Sequence, residues 1–233
     1  MIIHKLIFHH LVNRDDPGFY LLQACDAMAW MEKNNTVIRN GVTVLDLGCG
    51  HGIFGAEFKK RGCLVTFADE TNSLHPSLAG ENYRTFNVDK DDVTTLGQYD
   101  IVLCSNVYEH LSKPEQFLAN VGSLLKPSGR LFLSWTNWLS PWGGHEFSPF
   151  HYLGATRGHL VYDKLTGKKR IHTPFKNLYP TYIGHTLRQL RQLPTLRLIK
   201  VAPRYYPEFA FLMHLPVIRE FLAWNCAVLA EKR

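Results

Sequence analysis

The residues with the clearest chemical meaning run from Val44 to Gly52, Val-Leu-Asp-Leu-Gly-Cys-Gly-His-Gly. An apolar run ends at Asp46 and then turns through Gly48, Cys49, Gly50 and Gly52. Glycines in such a turn adopt dihedrals closed to other residues and let a ligand lie against the backbone. A carboxylate facing the turn suits a cationic ligand better than a pyrophosphate, although Asp46 could instead serve only to tie down the turn. Asp69 ends the next apolar run in Phe67-Ala-Asp-Glu70, where an acid can accept both hydroxyls of a ribose, with Glu70 as the adjacent alternative. Asp89 ends a third run, Phe86-Asn-Val-Asp89. It can accept from an adenine amino group or cap a helix beginning near Asp91.

A second concentration of reactive side chains lies between Thr136 and Tyr152, Thr-Asn-Trp-Leu-Ser-Pro-Trp-Gly-Gly-His-Glu-Phe-Ser-Pro-Phe-His-Tyr. Aromatic faces with interleaved polar groups suit a sugar or an aromatic ring. His145 with Glu146 is the first choice for a proton acceptor, and Gly143-Gly144 offers a hinge to swing it. His110 and His151 are the alternatives, with Tyr108 and His159 behind them. These histidines could equally pin an irregular loop. The spacing of His145, Glu146 and His151 is not that of a zinc helix, so no metal is expected.

Elements that would position these groups follow from the patterning. Asp16-Pro17 opens a helix, with Asp16 as cap and Leu21, Leu22, Cys25, Met28 and Ala29 at helical spacing. Strands are expected at 42–47, 64–68, 83–88, 99–105 and 130–135, with helices at 53–60 and 114–125 and a turn at 126–129. Strands alternating with helices predict a parallel sheet covered on both faces, an α/β fold of Rossmann type. Residues 137–180 lose periodicity and read as an insertion over the carboxyl edge of the sheet. Regularity returns with a helix at 183–192, a strand at 196–201, a helix at 209–222 and a strand at 225–230. The division is one domain: an N-terminal helical lid (1–40), a cofactor-binding core (41–136), an acceptor cap (137–182) and the rest of the sheet (183–233).

Bulk properties bound the remaining choices. With 45% apolar and 20% charged residues, the 233-residue chain has the composition of an ordinary globular domain. A net charge of +6 favours anionic partners, but the basic residues are scattered apart from Lys168-Lys169-Arg170, and no nucleic-acid module is evident. The odd count of five cysteines, with no C-x-x-C pair, points to free thiols in a reducing, cytoplasmic setting. Residues 1–14 lack the features of a signal peptide. The longest apolar stretch, Phe209–Ile218, is too short for a bilayer, which leaves peripheral membrane contact open.

The glycine pattern alone leaves two cofactors open. Gly50-x-Gly52-x-x-Gly55 followed by Asp69 also meets the dinucleotide fingerprint, whereas Asp46 matches the sulfonium and ammonium of S-adenosylmethionine. The order of several motifs resembles the class I S-adenosylmethionine-dependent methyltransferases of the small-molecule group. These are Val44–Gly52, Asp69, Asp89, Tyr99-Asp-Ile-Val-Leu-Cys-Ser-Asn-Val-Tyr-Glu-His-Leu111 and Leu124-Leu-Lys-Pro-Ser-Gly-Arg-Leu131. The resemblance covers residues 40–136 and implies a seven-stranded, mostly parallel sheet with an antiparallel last strand. It implies S-adenosyl-L-methionine as cofactor, with Asp46, Gly48, Cys49, Gly50 and Gly52 on the methionine side. Asp69 would meet the ribose, Asp89 with Val88 the adenine, and Ser105 and Asn106 the methyl group; Glu109-His110 is more often structural in that group. The resemblance ends after Trp135, so the acceptor stays open. O-methylation of a small molecule or glycan-type acceptor is the first reading. The others are C- or N-methylation, including of RNA, and a non-catalytic binding protein. Oligomeric state is not indicated.

Overall fold

Strands that are apolar at nearly every position require cover on both faces. The computed structural model, which describes residues 2–8 and 16–233, provides it. Its strands are β1 (Thr43–Leu47), β2 (Leu64–Asp69), β3 (Tyr83–Thr85), β4 (Tyr99–Ser105), β5 (Leu125–Thr136), β6 (Leu196–Pro203) and β7 (Asn225–Lys232). They form one sheet in the order β3-β2-β1-β4-β5-β7-β6. Strands β1 to β5 pair in parallel, and β7 runs antiparallel between β5 and β6.

The period-two alternation of strand side chains builds two cores. Leu45, Leu47, Val102, Cys104, Leu131 and Leu133 face one side, under α4 (Pro114–Val121) and α6 (Ile183–Gln192). Val44, Ile101, Leu103, Phe132 and Leu229 face the other, under α2 (Asp16–Lys33) and α3 (Ile53–Lys60). The remaining helices are α1 (Ile3–Phe8), α5 (Ala155–Thr166) and α7 (Pro216–Leu222).

The strand order reverses between β1 and β4. In open α/β sheets ligands bind outside the carboxyl ends of the strands at that switch point. The turn after β1, the acid ending β2 and the Ser105-Asn106 step after β4 therefore converge on one crevice by topology alone.

Several boundaries differ from expectation. The helix expected over 114–125 stops at Val121, passes through a 3₁₀ turn at Gly122–Leu124, and Leu125 already pairs with Tyr99. The Lys126–Gly129 turn is thus an irregularity within β5, after which Arg130 resumes pairing with Ile101. Strand β3 is shorter than expected, ending at Thr85. The helix expected over 209–222 is divided. A 3₁₀ segment, Pro207–His214, precedes α7, because Pro216 lacks an amide hydrogen and can only sit in a first helical turn. Helix α5 lies within the stretch read as irregular. Its one buried residue is Gly158, where a Cβ would overlap the Phe150 carbonyl, so no apolar stripe marked it. Asp16 is the first residue of α2, but its side chain, the expected cap, lies outside the described residues, as do residues 1 and 9–15 of the N-terminal stretch.

Candidate active site

The turn between β1 and α3 is held by two carboxylates. Asp46, 3% exposed, accepts the Gly55 amide at 2.8 Å, pinning the first turn of α3. Asp69 accepts the Gly50 amide at 2.8 Å through one oxygen and the Glu70 amide at 2.7 Å through the other. Gly48, Gly50 and Gly52 have φ of +70°, +51° and +78°, which side chains rarely adopt. A Cβ on Gly48 would also run into Val107. Cys49 is buried beneath the turn, and its thiol is pushed up in pKa by burial and the nearby acids. Burial raises the Asp46 carboxyl to about 7, with Asp69 adding to the rise against the Gly55 bond.

An open cavity of about 270 Å³ lies against this turn. Asp69, Glu70 and Asp89 line it together with Gly48 and the apolar Phe86, Val88, Val107 and Leu111, and Asn106 and His110 complete the wall. In a chain of net charge +6, three acids around one cavity make a local site for a cation. Asp46 is not on this wall. It acts on the cavity through the turn, whose α3 end it holds by the Gly55 bond. Glu70 accepts from Asn87 Nδ2 at 2.8 Å. Asp89 lines the cavity but spends three acceptor sites on the amides of Ser112, at 3.0 and 2.8 Å, and Lys113, at 3.2 Å. It therefore caps the approach to α4, not a helix near Asp91.

Beyond β4, Asn106 sits at φ +56° and anchors a buried polar network. Its Oδ1 accepts from Asn225 Nδ2 at 2.8 Å and Arg204 Nη1 at 3.2 Å, and its Nδ2 donates to Gln23 Oε1 at 3.3 Å. Ser105 lies one step away, its hydroxyl 3.4 Å from that of Ser134, which accepts from Arg204 at 2.9 Å. Gln23 Nε2 and Arg204 Nη2 are buried without a partner. Nothing in the periodicity marked Gln23 on α2 or Arg204 after β6 as members of the site.

The cap separates the expected catalytic histidines. His151 is fully buried, donates from Nε2 to the Ser140 carbonyl at 3.0 Å and packs against Trp138 and Phe147 in a small aromatic core. It is structural. Gly143 and Gly144 are both required as glycine, since a Cβ on the first would collide with the Trp138 carbonyl and one on the second with the His151 ring. Tyr108 is buried against Trp135 and Phe117, and His159 bonds back to the Ala155 carbonyl at 2.8 Å within α5.

His145 does approach the cavity wall, its ring centroid 5.3 Å from that of His110. Burial, and then the His110 and His172 rings, push its pKa down to about 3, so it is a poor proton acceptor on its own. Glu146 turns away from His145 and binds His172 Nδ1, 2.9 Å from each of its oxygens. Burial opposes the Glu146 charge, but its hydrogen bonds outweigh that and hold the carboxyl below its usual range. His172 was missed from the sequence because it joins this group only through the folding of the cap.

A family model described as a methyltransferase domain matches residues 20–192. An uncharacterized methyltransferase of Mycolicibacterium gilvum is 32% identical over 233 residues, covering 95% of this chain and 90% of that protein. The chain belongs to the methyltransferase family. Its sheet is that of the S-adenosylmethionine-dependent members. The Mesorhizobium loti S-adenosylmethionine-dependent methyltransferase structure superposes with a TM-score of 0.57 at 18% identity, covering 88% of this chain and 97% of that one. A Burkholderia thailandensis 1,6-didemethyltoxoflavin-N1-methyltransferase, solved with its acceptor and S-adenosylhomocysteine, gives 0.55 at 15% identity over 99% and 86%.

This methyltransferase uses S-adenosylmethionine, and its residues fit that cofactor. The positive-φ turn, the acids on the cavity wall and the apolar Phe86, Val88 and Leu111 match a cationic adenosyl ligand. When bound, the cofactor supplies a methyl group on positively charged sulfur.

Three outcomes follow for the methyltransferase. Asp69→Ala should weaken S-adenosylmethionine binding by about 2–3 kcal/mol in calorimetry. Asp89→Ala should instead appear mainly as lost stability of about 1 kcal/mol in thermal unfolding, because it leaves the Ser112 and Lys113 amides without their acceptor. The raised pKa of Asp46 means the folded chain binds that proton more tightly than the unfolded one. Ionisation as pH rises from about 4 to about 7 therefore works against folding. Asp46→Asn, which still accepts from Gly55, should raise Tm at pH 8, by up to a few kcal/mol in stability, and leave it unchanged near pH 4.

Proposed function

We propose that this methyltransferase transfers the methyl group to an oxygen of a small-molecule or glycan-type acceptor seated between the cavity and the cap. The observation that carries the reading is a group of three imidazoles, His110, His145 and His172, of which His110 forms part of the wall of the cofactor cavity. Methyl transfer to a hydroxyl requires loss of a proton, and clustered imidazoles serve that need. The cap supports an aromatic or sugar acceptor, since Trp142 is part-exposed and packs on Trp224 with centroids 5.2 Å apart.

The protein contributes alignment and exclusion of water. Asn106, held by Asn225 and Arg204, fixes the wall beside His110, and Val107 closes over Gly48. Glu109 holds the start of the cap by accepting the Thr136 amide at 2.9 Å.

Among the described residues no helix is long and apolar enough to cross a membrane. Exposed Phe211, Val217, Ile218 and Phe221 support peripheral contact with a membrane or an apolar partner. All five cysteines are unpaired, which supports a reducing, cytoplasmic location.

The test is a panel of phenols, sugars and amines scored by S-adenosylhomocysteine release. Hydroxyl acceptors should turn over, and His110→Ala should lower kcat at least about tenfold while S-adenosylmethionine affinity stays within about twofold. Turnover confined to amines, or a fully active His110→Ala, would refute the reading.

A further inference from the structure

The three imidazoles are arranged as ligands. The nitrogens that His110, His145 and His172 can offer all lie within 4.8 Å of one another, and no other such trio occurs among the described residues. His110 and His172 are stacked, with centroids 5.0 Å apart and planes 27° from parallel. His145 closes the group 4.6 Å from His172.

Two of the rings are oriented from behind. The Asn177 carbonyl, 2.7 Å from His110 Nδ1, can only accept, so that nitrogen carries the hydrogen and Nε2 keeps its lone pair. Glu146 does the same for His172 through both oxygens. Carbonyl and carboxylate partners on the far nitrogen are what metal-ligating histidines use to fix tautomer and direction.

His145 adds two independent signs. Its Nδ1 is buried without a hydrogen-bond partner. Its backbone sits at φ +51°, a left-handed conformation that a non-glycine residue keeps only where the surroundings enforce it.

We propose that His110, His145 and His172 form a binding site for a divalent transition-metal ion of the zinc type, open on the side of the cofactor cavity. Three neutral imidazoles favour zinc, cobalt or nickel over magnesium or calcium, which require oxygen donors. Three protein ligands with a fourth position free is the arrangement of a reactive zinc site. Bonds of about 2.0–2.1 Å set donor nitrogens about 3.4 Å apart, so the ion draws the rings together by small side-chain rotations.

The role of the ion rests on the hydroxyl-acceptor reading above, whereas its binding does not. A hydroxyl entering the fourth position would lose its proton to solvent and keep its electron pair for the methyl carbon.

The test uses the full chain, stripped with a chelator and titrated with Co²⁺ alone. One equivalent should bind with the visible absorption of a four- or five-coordinate site, and Zn²⁺ should displace it. His172→Ala should lose at least about a hundredfold in affinity, and Glu146→Gln about 10–100-fold. Both variants should keep their circular dichroism and S-adenosylmethionine affinity, which separates loss of the site from loss of the fold. His185→Ala, which breaks only the His185–Glu115 pair, should bind as the parent does. No Co²⁺ spectrum in the parent, or one that persists in His172→Ala, overturns the proposal. If the parent binds no ion yet His110→Ala still abolishes turnover on hydroxyls, the metal site falls and the hydroxyl reading stands.

Discussion

The bond between the Asp69 carboxylate and the Gly50 amide is the constraint on which the cofactor side of this protein rests. It joins the end of β2 to the turn after β1 at 2.8 Å, across two strands already paired in parallel. The Asp46–Gly55 bond holds the other end of the same turn to α3. Between these two anchors the glycines can keep the dihedrals that leave backbone, not side chain, facing the cavity. Asp69, together with Glu70 and Asp89, gives that cavity its negative character in a positively charged protein. The cost is visible at Asp46, whose carboxyl is buried far enough to rise to about 7.

The histidine side is built differently. No regular strand or helix presents the histidine group. His110 comes from a short 3₁₀ turn after β4, His145 from a 3₁₀ turn in the cap and His172 from the loop after α5. What brings them together is the small apolar core of Trp138, Phe147 and Leu178, packed around His151. Glu146 and Asn177, on either side of that core, then orient two of the rings. The cap is thus a second small structure set on the carboxyl edge of the sheet, and its chemistry depends on its packing.

This division explains what could be read from the chain. The turn after β1, Asp69 and the Ser105-Asn106 step were legible because each lies at the end of an apolar run, and the position of a strand end is a local property. The antiparallel β7 was implied by resemblance and is observed. The hydrogen bonds of Asp89 were not legible because their donors, the amides of Ser112 and Lys113, come from a distant part of the chain. His151 and His145 look equivalent by spacing, yet one is a core residue and the other approaches the cavity. His172 carried no signal, since a loop histidine gains meaning only from neighbours that tertiary packing supplies. Arg204 and Gln23 were hidden for the same reason.

On the proposed reading the donor lies along the acids and the acceptor meets the histidine group. The most direct measurement is a crystal structure of the full chain with S-adenosylhomocysteine. The account predicts ribose hydroxyls on the Asp69–Glu70 edge, adenine between Val88 and Leu111, and the thioether sulfur facing the space bounded by Asn106 and His110. A ligand bound in this cavity with its sulfur turned away from His110, or bound elsewhere on the molecule, would contradict it.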